Sequence, residues 1–227
     1  MEARAPSRPH VSGPAIELDF SVAGAAPVRY AAAPTLGFEL AIGSRGSEPI
    51  RSVVLDVQIQ VAARRRSYDE GEQARLMDLF GRPDGWSKSL RTFPWLRTTQ
   101  VVPGFTGDTV VNLEVPCTYD FEVTAAKYLA ALSGGEVPLE LLFSGTVFYT
   151  ADSGALQTAM IGWDREADYR LPVAVWRATM DLFFPGSAWV RLDRGSFERL
   201  YEYRARHALP SWEHALDKLF EAAEEDR

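Results

Sequence analysis

The chain has 227 residues, 24 of them Lys or Arg and 31 Asp or Glu, for a formal charge of −7 at neutral pH. A hydrophobic fraction of 46% supports a packed core and excludes a largely disordered chain, while the acidic balance argues against nucleic acid as a partner. One cysteine, Cys117, and three histidines exclude an intrachain disulfide and any cysteine-based metal site, so no cofactor and no metal are expected.

Residues 1–13 contain Pro6 and Pro9 and no apolar segment. They are expected to form a disordered tail, neither a secretory signal nor a membrane anchor. No run approaches the roughly 18 apolar residues of a membrane span. A cytoplasmic protein is therefore expected.

Three alternating segments follow. Ile16, Leu18, Phe20 and Val22 share one face, as do Leu36, Phe38, Leu40 and Ile42, and then Val53, Leu55, Val57, Ile59 and Val61. Period-two alternation marks half-buried strands, and one wet face favours antiparallel pairing. A helical insertion is expected over 67–81. Ser67 and Glu70 make an S-x-x-E capping box, Leu76, Met77 and Phe80 keep helical spacing, and Gly81 ends it. Residues 82–96, with Trp86, Phe93 and Trp95, read as a Pro- and Gly-containing loop. Strands over 98–102 and 109–115, separated by Pro103-Gly104 and Gly107, read as a hairpin.

A short helix is expected over 119–132, ended by Gly134-Gly135, and a long strand over 136–150. Gly145 interrupts its side-chain row, which suggests a bulge or a close backbone approach. A strand over about 155–162 follows. Asp164, Glu166 and Asp168 begin like a calcium loop, but Tyr169 stands where glycine is needed and Val175 where glutamate is needed, so they read as a loop. Helices then follow around Val173–Phe183 and Phe197–Tyr201, and from Trp212 on, where Trp212, Ala215, Leu216, Leu219 and Phe220 make an apolar face beside an acidic one.

Strands first and helices last make an α+β protein: an antiparallel β-sheet or sandwich followed by C-terminal helices. The expected organisation is a single domain over 14–227, mainly β over 14–165 and mainly helical over 170–225.

No phosphate loop, nucleophile elbow or catalytic triad pattern is present, so no catalytic residue is nominated and an enzyme is the less favoured reading. Trp86, Phe93, Trp95 and Trp189 are the candidates for a protein-binding surface, since Trp is enriched at interface centres. A small-ligand site, if one is assembled from distant residues, is expected from Arg64, Tyr119, Asp120 and Arg177. Arg64, Arg65 and Arg66 form the only dense basic run, and Asp69, Glu70 and Glu72 follow it closely.

Several segments together resemble a known family: RRRSY at 64–68, LMDLFG at 76–81, VPGFTG at 102–107, VPCTYDFEV at 115–123, PLELLFSGTVF at 138–148, YRLPVAVWR at 169–177 and MDLFFPGSAW at 180–189. That family is an uncharacterised, mainly actinobacterial domain of unknown function found beside [NiFe]-hydrogenase genes. The resemblance implies a hydrogenase-linked accessory protein whose partner is a hydrogenase subunit or a maturation factor, and it transfers no catalytic residue. The segment from Trp189 to Leu192 leading into Phe197–Tyr201 also resembles the closing segment of the SecB export chaperone, which is acidic and places helices after a sheet. That second resemblance implies a chaperone-like binder that forms homo-oligomers.

Overall fold

The structure is a computed structural model that describes residues 16–46, 48–118, 123–187 and 190–225. The expected N-terminal tail lies outside the described residues. The strands are β1 (Leu18–Pro27), β2 (Thr35–Ser44), β3 (Ile50–Val61), β4 (Phe93–Phe105), β5 (Asp108–Pro116), β6 (Glu136–Thr150), β7 (Leu156–Met160) and β8 (Glu166–Pro172). The helices are α1 (Glu70–Arg75), α2 (Met77–Phe80), α3 (Trp86–Ser89), α4 (Thr124–Ala131), α5 (Val173–Phe183), α6 (Arg194–Arg206) and α7 (Trp212–Glu225). This is the expected α+β class with antiparallel sheets. Among the described residues no helix is long and apolar enough to cross a membrane.

Two compact units divide the chain at residues 188 and 189. The first contains both sheets. One sheet has the order β1-β2-β5, and the other has β4-β3-β6 with β7 and β8 sharing the far edge of β6. β8 pairs with Glu136–Leu142 and β7 with Thr146–Thr150, every pair being antiparallel. The chain crosses between sheets after β2, after β4 and after β5. That is the Greek-key habit of immunoglobulin-like sandwiches.

The alternating residues point where their period requires. Leu36, Phe38, Leu40 and Ile42 of β2 are buried, as are the five odd-numbered side chains from Val53 to Val61 of β3. Rings lock the two layers. Phe20 of β1 stacks on Phe143 of β6 with centroids 4.2 Å apart. Phe38 of β2 meets Trp95 of β4 and Tyr169 of β8 edge-on at 6.5 and 5.8 Å. Such pairs add about 0.5–1.5 kcal/mol each beyond burial.

Four local expectations change. Strands β4 and β5 are not a hairpin. β4 pairs with β3 while β5 pairs with β2, so the Gly107 turn is an arch between layers. The helix cap is Asp69, not Ser67. Asp69 accepts from the Glu72 amide at 2.7 Å and the Glu72 carboxylate reaches back to the Asp69 amide, the same box shifted by two residues. The expected loop over 82–96 holds a short 3-10 turn (Pro83–Gly85), α3 and the start of β4. The acidic segment after residue 164 includes strand β8, whose Asp168 accepts a hydrogen bond from Arg65 at 2.7 Å. The start of the expected helix over 119–132 lies outside the described residues.

Gly145 marks a close approach without a slip in register, since it sits opposite Leu55 within an unbroken ladder. Its φ is +141°, and a Cβ there would lie 2.0 Å from the Val54 carbonyl oxygen. Both backbone strain and a backbone clash therefore oppose any side chain. Gly145→Ala is expected to cost roughly 3 kcal/mol or to abolish folding. Gly85→Ala has open space and an ordinary φ of −88°, so it should stay within about 1 kcal/mol of the parent. Urea unfolding of the two variants compares them directly.

Candidate functional site

Of the aromatic residues singled out by sequence, Trp86 is buried and Phe93 and Trp95 are half-buried. Trp86 donates through Nε1 to the Gly81 carbonyl at 2.8 Å. Its ring meets Tyr68 at 5.3 Å and Phe80 at 6.1 Å, both edge-on. Phe93 is half-buried and contacts Tyr128 at 5.3 Å and Phe80 at 6.1 Å. Together these rings pin α1–α3 against α4 and the first residue of β4. The Tyr68 and Tyr128 hydroxyls share a hydrogen bond of 2.7 Å, and burial raises both above the ordinary tyrosine value, Tyr128 the further. Trp95 stands apart from this group, half-buried on Phe38. Trp189 lies outside the described residues.

The three consecutive arginines have three separate destinations. Arg64 donates through Nε to the Leu90 carbonyl at 3.2 Å and, with Arg91 and Thr92, lines an open cleft of about 500 Å³. Arg65 pairs with Asp168 and Glu140 at 2.7 and 3.5 Å. Arg66 pairs with Glu72 at 2.6 Å, their side chains being only 11% and 3% exposed.

That last pair belongs to a clamp on the chain leaving α4. Arg75 donates to the Ala131 carbonyl at 2.7 Å, Arg177 to the Ser133 carbonyl at 2.9 Å and also to that of Leu132, and Arg66 to the Gly134 carbonyl at 2.8 Å. Glu72 accepts in turn from the Ser133 amide at 2.8 Å. Four successive carbonyls are thus met by three guanidinium groups. A cleft of about 540 Å³ opens beside them, between residues 66–72 and 133–135. Among the described residues one buried side-chain nitrogen, Nη1 of Arg66, has no protein acceptor.

Of the expected ligand set, Arg64 and Arg177 hold different backbone carbonyls. Arg64 holds the Leu90 carbonyl, whereas Arg177 holds the exit from α4, and Tyr119 and Asp120 lie outside the described residues. Cys117 is buried, and burial pushes its thiol up to about 12, which keeps it protonated and unreactive at neutral pH. Among the described residues no group of three or more His, Cys, Asp or Glu could hold a metal ion.

The second unit is a pair of helices. Asp193 caps α6 by accepting from the Ser196 amide at 2.9 Å, and the hydrogen bond lowers its carboxyl below the usual range. Phe197 and Tyr201 of α6 surround Trp212 of α7, with centroids 5.7 and 6.3 Å from it, and the Arg204 guanidinium lies 4.2 Å over the same ring. Ala215 alone is fully buried in these two helices, while Phe197, Tyr201 and Phe220 are 46%, 54% and 62% exposed. Leu216 and Leu219 continue the exposed row. Beside it run Glu213, Asp217, Glu221 and Glu224, an acidic stripe at helical spacing. Among the described residues no ion pair joins α6 to α7. The sequence shows this face as a periodicity, and the geometry shows that the pair of helices leaves it uncovered.

A model of a family of unknown function, DUF6084, matches residues 15–227. The chain belongs to that family. No curated protein sequence matches it. Among solved structures, a Bordetella pertussis protein assigned as ApaA is 14% identical over 69% of this chain and 94% of its own, with a TM-score of 0.24. β-Glucosidase 3B from Thermotoga neapolitana, in complex with α-D-glucose, is 12% identical over 68% of this chain and 17% of its own, with a TM-score of 0.25. A β-glucosidase from Kluyveromyces marxianus is 11% identical over 68% and 15%, with a TM-score of 0.23. Scores this low carry no argument about this DUF6084 member.

Two outcomes follow for the buried groups. Glu72→Gln leaves the Arg66 guanidinium uncompensated and is expected to lower stability by roughly 3–5 kcal/mol, whereas Glu70→Gln, on the exposed side of α1, should change it by under about 0.5 kcal/mol. Chemical denaturation of each variant checks this. Cys117 keeps its proton up to about 12 when folded and releases it near the ordinary 9.0 when unfolded. The folded state therefore binds more protons in that window, and stability falls as pH rises from about 9 towards 12. Cys117→Ala should remove its share of that slope in urea midpoints measured against pH, and the native thiol should resist alkylation at pH 8.

Proposed function

We propose that this chain is a non-enzymatic accessory protein that binds another protein through the exposed face of α6 and α7. The observation that supports this reading most is the uncovered apolar row on α7, flanked by the acidic stripe. An amphipathic helix gains its stability by burying its apolar stripe, and two short helices cannot supply that cover alone. A suitable occupant presents an apolar ridge rimmed by Lys or Arg, as in the docking of one amphipathic helix on another. The resemblance to a family found beside hydrogenase genes makes that occupant a [NiFe]-hydrogenase subunit or maturation factor, met in the cytoplasm.

A second reading is a SecB-like chaperone, favoured by the exposed rings of Phe197, Tyr201 and Phe220. It implies a homo-oligomer and capture of many unrelated unfolded chains.

Affinity purification from the native host, with the parent and with Leu216→Glu/Phe220→Glu, separates these readings. The accessory role predicts recovery of a hydrogenase subunit or maturation factor, reduced at least about tenfold by the double substitution. Recovery of neither, or recovery undiminished by the substitution, would overturn it. Suppression of aggregation of unrelated proteins by an oligomer would favour the chaperone.

A further inference from the structure

We propose that the cleft lined by Arg64, Arg91 and Thr92 binds a phosphate-class oxyanion, either free phosphate or the phosphate group of a small metabolite. This site is independent of the helical pair and of its protein partner.

The position follows from strand register. Val61 at the end of β3 lies opposite Phe93 at the start of β4. The chain just past β3 and the chain just before β4 therefore meet at one end of the sheet. Arg64 sits in the 3-10 turn Ala63–Arg65 on one side, with Arg91 and Thr92 on the other. The cleft between them, about 500 Å³, falls within the roughly 300–1,000 Å³ of small-molecule sites.

The two guanidinium groups are held in place and left unused. Arg64 Nε donates to the Leu90 carbonyl at 3.2 Å, and Arg91 Nε donates to the Lys88 carbonyl at 3.0 Å. Each bond fixes the group through Nε and leaves both Nη groups without a protein acceptor among the described residues. Neither arginine pairs with a carboxylate among the described residues, although the chain carries a charge of −7. The contrast with the next residues is sharp, because Arg65 and Arg66 both hold acids. Both cations line the same cleft without a counter-charge among the described residues, and an anion bound there would supply one. Guanidinium forks match tetrahedral phosphate oxygens, and the Thr92 hydroxyl supplies a further donor. Fixing the arginines in advance removes part of the ordering cost of binding.

The test is calorimetric titration of the full chain with inorganic phosphate, glycerol phosphate and acetate at constant ionic strength. Saturable binding of inorganic phosphate, at least about tenfold weaker in Arg64→Gln/Arg91→Gln, is expected. Thr92→Val should weaken it less, and Arg97→Gln, which lies outside the cleft, should leave it unchanged. Comparable binding of glycerol phosphate would show that an esterified phosphate is the natural form, and its failure beside a positive inorganic phosphate titration would assign the free ion. No saturable phosphate binding, equal affinity for acetate, or unchanged affinity in a folded double variant would overturn the proposal. Melting curves of each variant confirm that it is folded.

Discussion

The exit from α4 is the constraint on which the central sheet depends. A helix ends with carbonyls that have no helical partner, and glycine-based caps commonly satisfy them. Here Arg75, Arg177 and Arg66 take up the carbonyls of Ala131 through Gly134. The Gly135 carbonyl accepts from the Val173 amide at 2.9 Å, which ties the start of α5 to the same turn. The next residue, Glu136, opens β6. Since β6 pairs with β3, β7 and β8, the turn sets the phase of the strand at the centre of the larger sheet. A slip of one residue there would turn every inward side chain of β6 outward. The charge on Arg66 makes the arrangement strict. Its pairing with Glu72 adds little net stability by itself, because both groups lose water, but either one alone would be a buried charge.

The layers of the sandwich were legible where burial is one-sided. β1, β2, β3 and β6 each carry an alternating row, and each row faces the core. β8 and the first residues of β4 were not legible for a physical reason. In β8 the row of Ala167, Tyr169 and Leu171 is interleaved with Glu166, Asp168 and Arg170, whose charge looks like a loop although those side chains only need to face water. In β4, Pro94 and the preceding helix-like turn obscure the row that contains Phe93 and Trp95. The arch between β4 and β5 could not be distinguished from a hairpin, because both need the same turn residues. Which sheet each strand joins is decided by long-range pairing, not by the turn.

The candidate sites show the same division. Three consecutive arginines look like one basic patch, yet each has its own partners: the distant Leu90 for Arg64, the distant Asp168 for Arg65, and both nearby Glu72 and distant Gly134 for Arg66. Successive side chains leave a tight turn in different directions, so adjacency in sequence gave no common function. The aromatic segment misled in the opposite sense. Trp86 and Phe93 suggested an exposed surface, but a short helix-rich insertion has little core of its own and uses large rings to attach itself to the sandwich. The face of α7 was legible because a helical period survives any tertiary context. What covers that face was not, since the cover is absent from the helix itself.

The size of that face limits the kind of complex it can form. Phe197, Tyr201, Leu216, Leu219 and Phe220 are each about half exposed. Full burial of such a side chain contributes about 1.5–3 kcal/mol, so completing the burial of all five supplies roughly 5 kcal/mol. A micromolar complex needs about 8 kcal/mol after the cost of lost rotational and translational freedom has been met. The apolar row alone therefore cannot hold a stable partner. The remainder has to come from contacts beyond the row, and the acidic stripe of Glu213, Asp217, Glu221 and Glu224 is placed to provide them. Charges at such a rim act mainly on encounter rate and on the choice of partner. If the proposed partner docks here, its complex is expected to be short-lived and salt-sensitive, and its surface apolar with a basic rim.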